Sequence, residues 1–259
     1  MEQANVITLQ KKNRVGYVIV NRPKANCYEI NFHKQLNACL DQANADNEVK
    51  VIVVKSALEK FFCAGADIKV FEANTVEENK EMVVNAQIAA NKLSESKKIT
   101  IAAISGHALG GGLELAMACD LRLAAEGNYF LGLPEIKLGL IPGNGGSQRL
   151  IRLIDKSKAL ELLITGDNIG PQEAFDIGLM NHLYKKEEFA DKVEAYAEKL
   201  AKGPLEAMAA VKICVNKGLE MSLEDGLKLE SEMVEPLYNS DDAREGNRAF
   251  VEKRDPRFK

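Results

Sequence analysis

The first twenty residues carry a pattern that predicts a hairpin. Residues 5–9 and 15–20 are apolar, β-branched runs on either side of a polar turn at 11–14. Residues 31–45 then show helical spacing through Phe32, Leu36, Leu40 and Ala43. Residues 49–54 form a short unbroken apolar run, as expected of a strand buried on both faces. Residues 75–93 read as a long helix, 100–104 as a second buried strand, 111–119 as a helix opening on a glycine cluster, and 121–125 as a third strand. Strands alternating with helices predict a mostly parallel α/β arrangement.

After Pro142 the pattern becomes helical, over 147–153, 157–164, 171–177 and 187–202. Three more helical stretches, 205–217, 223–238 and 241–252, lie beyond the Gly203-Pro204 break. That break divides the chain into a core, 1–202, and a helical C-terminal region, 203–259. The C-terminal helices are amphipathic, and their apolar stripes need a surface to cover, which a neighbouring subunit can supply. There is no internal repeat and no low-complexity tract.

Composition narrows the function. The chain has 259 residues, 46% of them hydrophobic, enough for a sizeable core. Its net charge of -4 gives no electrostatic drive toward nucleic acid or an anionic membrane. The five cysteines, Cys27, Cys39, Cys63, Cys119 and Cys214, are odd in number and form no CxxC pair, which points to reduced thiols in the cytoplasm. Three histidines and no ligand cluster argue against a metal site. The first ten residues lack the features of a signal or transit peptide. No apolar run is long enough to span a bilayer. The expected protein is cytoplasmic, with no nucleic-acid or membrane partner and no metal.

Three segments carry candidate chemistry. Phe61-Phe62-Cys63-Ala64-Gly65-Ala66-Asp67-Ile68-Lys69 is dense in small residues, which let a ligand approach the backbone or simply make a tight turn. Gly106-His107-Ala108-Leu109-Gly110-Gly111-Gly112-Leu113-Glu114 places glycines where a strand ends and a helix begins. The unpaired N–H groups of a helix N-terminus suit a developing oxyanion, although Glu114 could equally just complement the helix dipole. Neither a P-loop nor a dinucleotide fingerprint fits: no Lys-Ser/Thr pair follows the last glycine, and Leu115 stands where GxG needs a third small residue. Leu131-Gly132-Leu133-Pro134-Glu135 reads as a loop. Its carboxyl is either solvated or, among apolar neighbours, held protonated by burial.

Together these segments resemble the enoyl-CoA hydratase (crotonase) family. The likeness extends to Asn21-Arg22-Pro23-Lys24-Ala25, to Ile141-Pro142-Gly143 with Gly145-Gly146-Ser147-Gln148-Arg149-Leu150, and to Glu245-Gly246 with Ala249-Phe250 and Glu252-Lys253-Arg254. It spans nearly the whole chain, and it is more specific for the superfamily than for the reaction. The resemblance implies a crotonase-type spiral of ββα units with a helical C-terminal trimerisation region, as a homotrimer or a dimer of trimers. It implies reversible addition of water to a 2-trans-enoyl-CoA, giving a 3-hydroxyacyl-CoA in acyl-CoA metabolism.

It also implies roles. The N–H groups of Ala64 and Gly111 would hold the thioester oxygen, Glu114 would activate water at Cβ, and Glu135 would deliver a proton to Cα. Lys24, Ala25, Ala64, Gly65, Ala66, Asp67, Ile68 and Gly111 would contact the substrate and its coenzyme A, which enters as substrate and not as a cofactor. The basic residues Lys253, Arg254, Arg257 and Lys259 could reach coenzyme A phosphates across a subunit boundary, or equally form a frayed basic tail. Retention of both glutamates favours hydration over an isomerase or an acyl-CoA hydrolase on the same scaffold. Some relatives bind RNA through a basic helix, whereas residues 75–93 here are rich in Glu and carry only Lys80 and Lys92. Two departures stand out: one extra residue around Phe130-Leu131, and Asn26-Cys27-Tyr28-Glu29-Ile30 in place of a small apolar stretch, a segment expected to touch the substrate or coenzyme A and to bear on acyl preference. His107 and Cys63 are expected to pack rather than react.

Overall fold

A computed structural model describes residues 5–259. Residues 1–4, the start of the expected core region and of the segment tested for a leader, lie outside the described residues. Strands β1 (Ile7–Lys12) and β2 (Val15–Val20) form the expected hairpin, but its turn is shorter than the polar run suggests. Asn13 and Arg14 adopt φ of 50° and 66°, so a two-residue turn suffices. Lys11 and Lys12 therefore stay in register, opposite Gly16 and Val15.

Beyond the hairpin the chain repeats one unit: a long strand, a short strand, then helix. β3 (Val51–Ser56) leads to β4 (Phe61–Cys63), then α2 (Ile68–Ala73) and α3 (Val76–Ser94), after the packing helix α1 (Ile30–Ala45) has been laid down. β5 (Ile99–Ile104) leads to β6 (His107–Leu109) and α4 (Gly111–Met117). β7 (Leu121–Ala125) leads to β8 (Leu131–Gly132), a 3-10 turn at Pro134–Leu138 and α5 (Gly146–Leu153). The long strands join one sheet in the order β1-β2-β3-β5-β7-β9, closed by β9 (His182–Tyr184) and parallel except at β1. The short strands form a second parallel sheet, β4-β6-β8. This is the crotonase-type spiral of ββα units.

The short strands did not show in the hydrophobic pattern, because two or three residues are too few to display a period. Pro134–Leu138, expected as loop, is a 3-10 helix: proline at its first turn tolerates the missing N–H, and Gly139 ends it at φ 72°.

Helices α6 (Lys156–Thr165), α7 (Pro171–Asp176) and α8 (Phe189–Ala201) cover the core. On α8, Val193, Ala197 and Ala201 recur every four residues and pack on Val15, Val51, Ile101 and Leu123 of the large sheet. Beyond it lie α9 (Leu205–Gly218), α10 (Leu223–Val234) and α11 (Asp241–Glu252). Helix α9 is tied down by Lys212, which donates to Asp120 Oδ2 at 2.8 Å and to the carbonyls of Leu93 and Lys98. Val215, Leu219, Leu223, Phe250 and Val251 on the C-terminal region stay exposed. No helix of the described residues is long and apolar enough to cross a membrane.

The Lys212–Asp120 pair yields a prediction. Both side chains are largely buried, so removing the cation strands a carboxylate in the interior. Lys212→Met is expected to lower stability by about 3 kcal/mol, read as the urea midpoint shift. A change within error of zero would mean that Thr100, which donates to the same oxygen through N and Oγ, carries the anchor alone.

Candidate active site

The end of β6 and the start of α4 set the geometry. Gly110 takes φ 52°, which turns the strand directly into the helix. The first N–H groups of α4 then have no partner within the helix. Gly111 must lack a side chain, because a Cβ there would overlap the Tyr28 hydroxyl and stand 2.5 Å from its ring atoms Cε1 and Cζ. At Gly112 a Cβ would meet the backbone of Cys63, at 2.7 Å from its carbonyl carbon. These two absences let the helix start lie directly against Tyr28 on one side and β4 on the other.

Glu114 sits in the first turn of α4 with 1% exposure. Its Oε1 accepts from the backbone N–H groups of Asn144 and Gly146, each at 2.7 Å. Its Oε2 is buried without a hydrogen-bond partner. Burial pushes the carboxyl up to about 7, Glu135 adds to the rise, and the two N–H donors and Arg149 restrain it. Glu135 lies on the 3-10 turn, with its Oε2 likewise buried and unpartnered. Burial raises it too, and its own backbone N–H works against the rise. The extra residue around Phe130-Leu131 does not displace it. Phe130 turns outward against His107, 5.7 Å between ring centres, and Leu131 is buried in β8.

Both glutamates face one cavity of about 280 Å³. Ala64, Gly65, Ala66, Ile68, Gly110 and Gly111 line it as well, so the structure brings most of the expected residues together. The Ala64 N–H is a correction. It donates to the Ala25 carbonyl at 3.1 Å and is not available to a ligand. The N–H that faces the cavity is Ala66's. Tyr28 and Ala66 form a parallel β-bridge in which the flanking groups do the bonding: Tyr28 N–H donates to Gly65 O, and Asp67 N–H donates to Tyr28 O, each at 2.9 Å. Ala66's own N–H therefore points the opposite way. It and the Gly111 N–H have no hydrogen-bond partner among the described residues. Only the alternation of pairing along the bridge reveals this; the motif alone does not say which alanine is free.

Lys24, Ala25 and Asp67 do not line the cavity. Lys24 is exposed, Ala25 braces Ala64, and Asp67 pairs with Arg22 at 3.2 Å. Arg254 bonds Glu245 and Glu252, and the Lys259 ammonium pairs with Asp241, so these two tail cations are engaged. His107 accepts from the Phe130 N–H at 3.0 Å and packs on Phe61. Cys63 donates to Asn26 O, and burial pushes its thiol up to about 12. Both are packing residues, as expected. Tyr28, from the stretch expected to touch the substrate, does line the cavity, whereas Asn144 and the apolar lining at Phe71, Met82, Val83, Leu138 and Leu140 were not named from the sequence. Asn144 donates from Nδ2 to the Tyr28 hydroxyl at 3.0 Å.

Comparisons with known proteins identify the family. The model of the family "Enoyl-CoA hydratase/isomerase" matches residues 10–259. The chain is 42% identical over 250 residues to a Dictyostelium discoideum protein named "Probable enoyl-CoA hydratase, mitochondrial", covering 96% of this chain and 89% of that one. It is 40% identical over 257 residues to a Bacillus subtilis "Probable enoyl-CoA hydratase", covering 98% and 99%. The crystal structure of a Bacillus anthracis enoyl-CoA hydratase superposes with a TM-score of 0.94 at 36% identity, covering 98% of this chain and 99% of that one.

The raised Glu114 has a measurable consequence. Between the ordinary carboxyl value of 4.5 and about 7, the folded protein holds a proton that the unfolded chain releases. Stability attributable to this group therefore falls as pH rises through that window, by on the order of 3 kcal/mol in all. Glu114→Gln does not titrate, so its stability relative to wild type should improve from pH 4.5 to pH 8, measured by denaturant unfolding. A pH-independent difference would contradict the burial of this carboxyl.

Proposed function

The chain belongs to the enoyl-CoA hydratase/isomerase family, and from that membership we propose that it adds water reversibly to a 2-trans-enoyl-CoA, giving the 3-hydroxyacyl-CoA. The observation that carries this reading is the pair of glutamates that line one cavity, each with its Oε2 buried and unpartnered. A water at the bare Glu114 Oε2 can donate a hydrogen bond to it while Glu135 holds its proton. The water oxygen attacks Cβ while Glu114 takes one of the water's protons, and Glu135 gives a proton to Cα. Each addition leaves Glu114 protonated and Glu135 ionised, and proton exchange with solvent resets the pair. The steps transfer no electrons, so no redox cofactor enters the scheme.

We take Glu114 as base and Glu135 as acid from the family resemblance; burial raises both carboxyls, Glu114 to about 7, and the donors around each modulate that rise. Two N–H donors on Glu114 Oε1 favour its ionised form, as a base requires. Glu135 has only its own backbone N–H and an apolar setting, with Leu138, Leu140 and Ile141 on the same cavity, as an acid requires. Negative charge builds on the thioester oxygen as Cβ is attacked. The N–H groups of Ala66 and Gly111 are the donors we assign to it, and losing one such donor costs about 3 kcal/mol of transition-state stabilisation. The loop Ala64 to Ile68 receives the thioester end of coenzyme A, and Lys24, exposed beside Ala25, is a cation for its phosphates. We assign the protein to the cytoplasm on its five free cysteines.

We further read residues 203–259 as a trimerisation region, giving a trimer or a dimer of trimers. The exposed Leu223, Phe250 and Val251 support this, since apolar stripes of that kind need cover. Light scattering should give three or six times the 28.4 kDa chain mass. A monomer at micromolar concentration would refute it.

The direct test of the activity is loss of the conjugated thioester absorbance of crotonyl-CoA. Wild type is expected to be active, and Glu114→Gln and Glu135→Gln should each lose about 10²–10⁴-fold in kcat. Activity should rise with pH as Glu114 ionises near 7. Survival of a variant lacking one carboxyl would favour double-bond migration or thioester hydrolysis instead.

A further inference from the structure

Tyr28 belongs to the 26–30 stretch that departs from the family pattern, and it is one of the buried residues that line the cavity. The lining grades from an exposed mouth at Ile68, Leu138 and Ile141 to a buried floor at Tyr28, Glu114 and Asn144. The phenol abuts Gly111, whose missing Cβ leaves it just enough room. It is fixed from four sides. Its backbone N–H and C=O are both bonded in the bridge to the β4 loop. Its ring packs on His33, with 4.3 Å between centres. Its hydroxyl accepts from Asn144 Nδ2. Asn144 is in turn held by its N–H to Glu114 and by Arg149, which donates to its carbonyl at 2.6 Å. A side chain held this way is a rigid stop and not a lid.

We propose that Tyr28 is the end wall of the acyl pocket and restricts this chain to short acyl groups. This rests on reading the cavity as an enoyl thioester site. The thioester oxygen lies at Gly111, on the floor, and Tyr28 occupies the space immediately beyond it. The cavity volume of about 280 Å³ is at or below the low end of the roughly 300–1,000 Å³ range of small-molecule sites. It must also hold the thioester and the inner end of the pantetheine arm, which leaves room for only a few carbons. Opening the wall should let further methylenes bury, at about fourfold in binding for each one accommodated.

The experiment compares kcat/KM for oct-2-enoyl-CoA with that for crotonyl-CoA. In wild type the octenoyl to crotonyl ratio should lie at or below about one-tenth. Tyr28→Ala should raise that ratio at least about tenfold, given the gain per methylene. Tyr28→Phe keeps the ring and should keep the wild-type ratio, which separates the wall from the hydroxyl. Tyr28→Leu, a milder truncation, replaces Tyr28→Ala if melting curves show that the latter does not fold. A wild type that takes octenoyl-CoA as readily as crotonyl-CoA, or a truncation that leaves the ratio unchanged, would overturn the proposal. If wild type hydrates neither substrate, the hydratase reading fails on its own. Calorimetric binding of butyryl-CoA against octanoyl-CoA to wild type and variant then answers the steric question: a shifted affinity ratio supports the wall and an unshifted one refutes it.

Discussion

The Glu114 carboxyl lies almost wholly out of water, held through one oxygen by two backbone N–H groups and left bare on the other. Taking a carboxylate that far into the interior costs several kcal/mol unless donors replace its hydration. The two donors, Asn144 and Gly146, lie at the start of α5, one ββα turn further along the chain than α4. The spiral exists, in this sense, to bring the start of one turn against the carboxyl of the previous one. Half-compensated burial leaves Glu114 poised near neutrality, where a proton acceptor can work in either direction of a reversible reaction.

The other site features follow from the closeness this requires. Helix α4 can lie against Tyr28 and β4 only because Gly111 and Gly112 carry no side chains. That contact places the Gly111 N–H near the loop that carries the Ala66 N–H. At Gly146, a Cβ would come within 2.7 Å of Pro142 and 3.0 Å of Glu114 Oε1, so the clamp on the carboxylate also depends on an absent side chain. The glycine-rich motifs are thus packing constraints first, and the unpaired N–H groups are their consequence.

Much of this was legible in the residues. The long strands and helices announced themselves by period, because each buries a continuous face. The glutamates, the glycine cluster and the resemblance of the whole chain to one family pointed to the site. What was hidden depends on pairing and not on pattern. The sheet β4-β6-β8 is built from segments too short to show alternation, yet it orients both active-site loops. Whether Ala64 or Ala66 offers a free N–H depends on which one the chain from Ala25 to Tyr28 bonds, and nothing in the string Ala64-Gly65-Ala66 encodes that. Tyr28 read as a departure from the family, but its contact with Asn144 spans more than a hundred residues and is visible only when folded.

Hydration is defined by where the atoms of water go, and isotopes read that directly. Crotonyl-CoA would be incubated with the protein, once in H₂¹⁸O and once in D₂O, and the products analysed by mass spectrometry and NMR. Hydration by the two glutamates predicts 3-hydroxybutyryl-CoA with ¹⁸O on C3 and, in the second solvent, deuterium on C2. Free crotonic acid carrying ¹⁸O in its carboxyl group, or a migrated double bond with no oxygen gained, would contradict it.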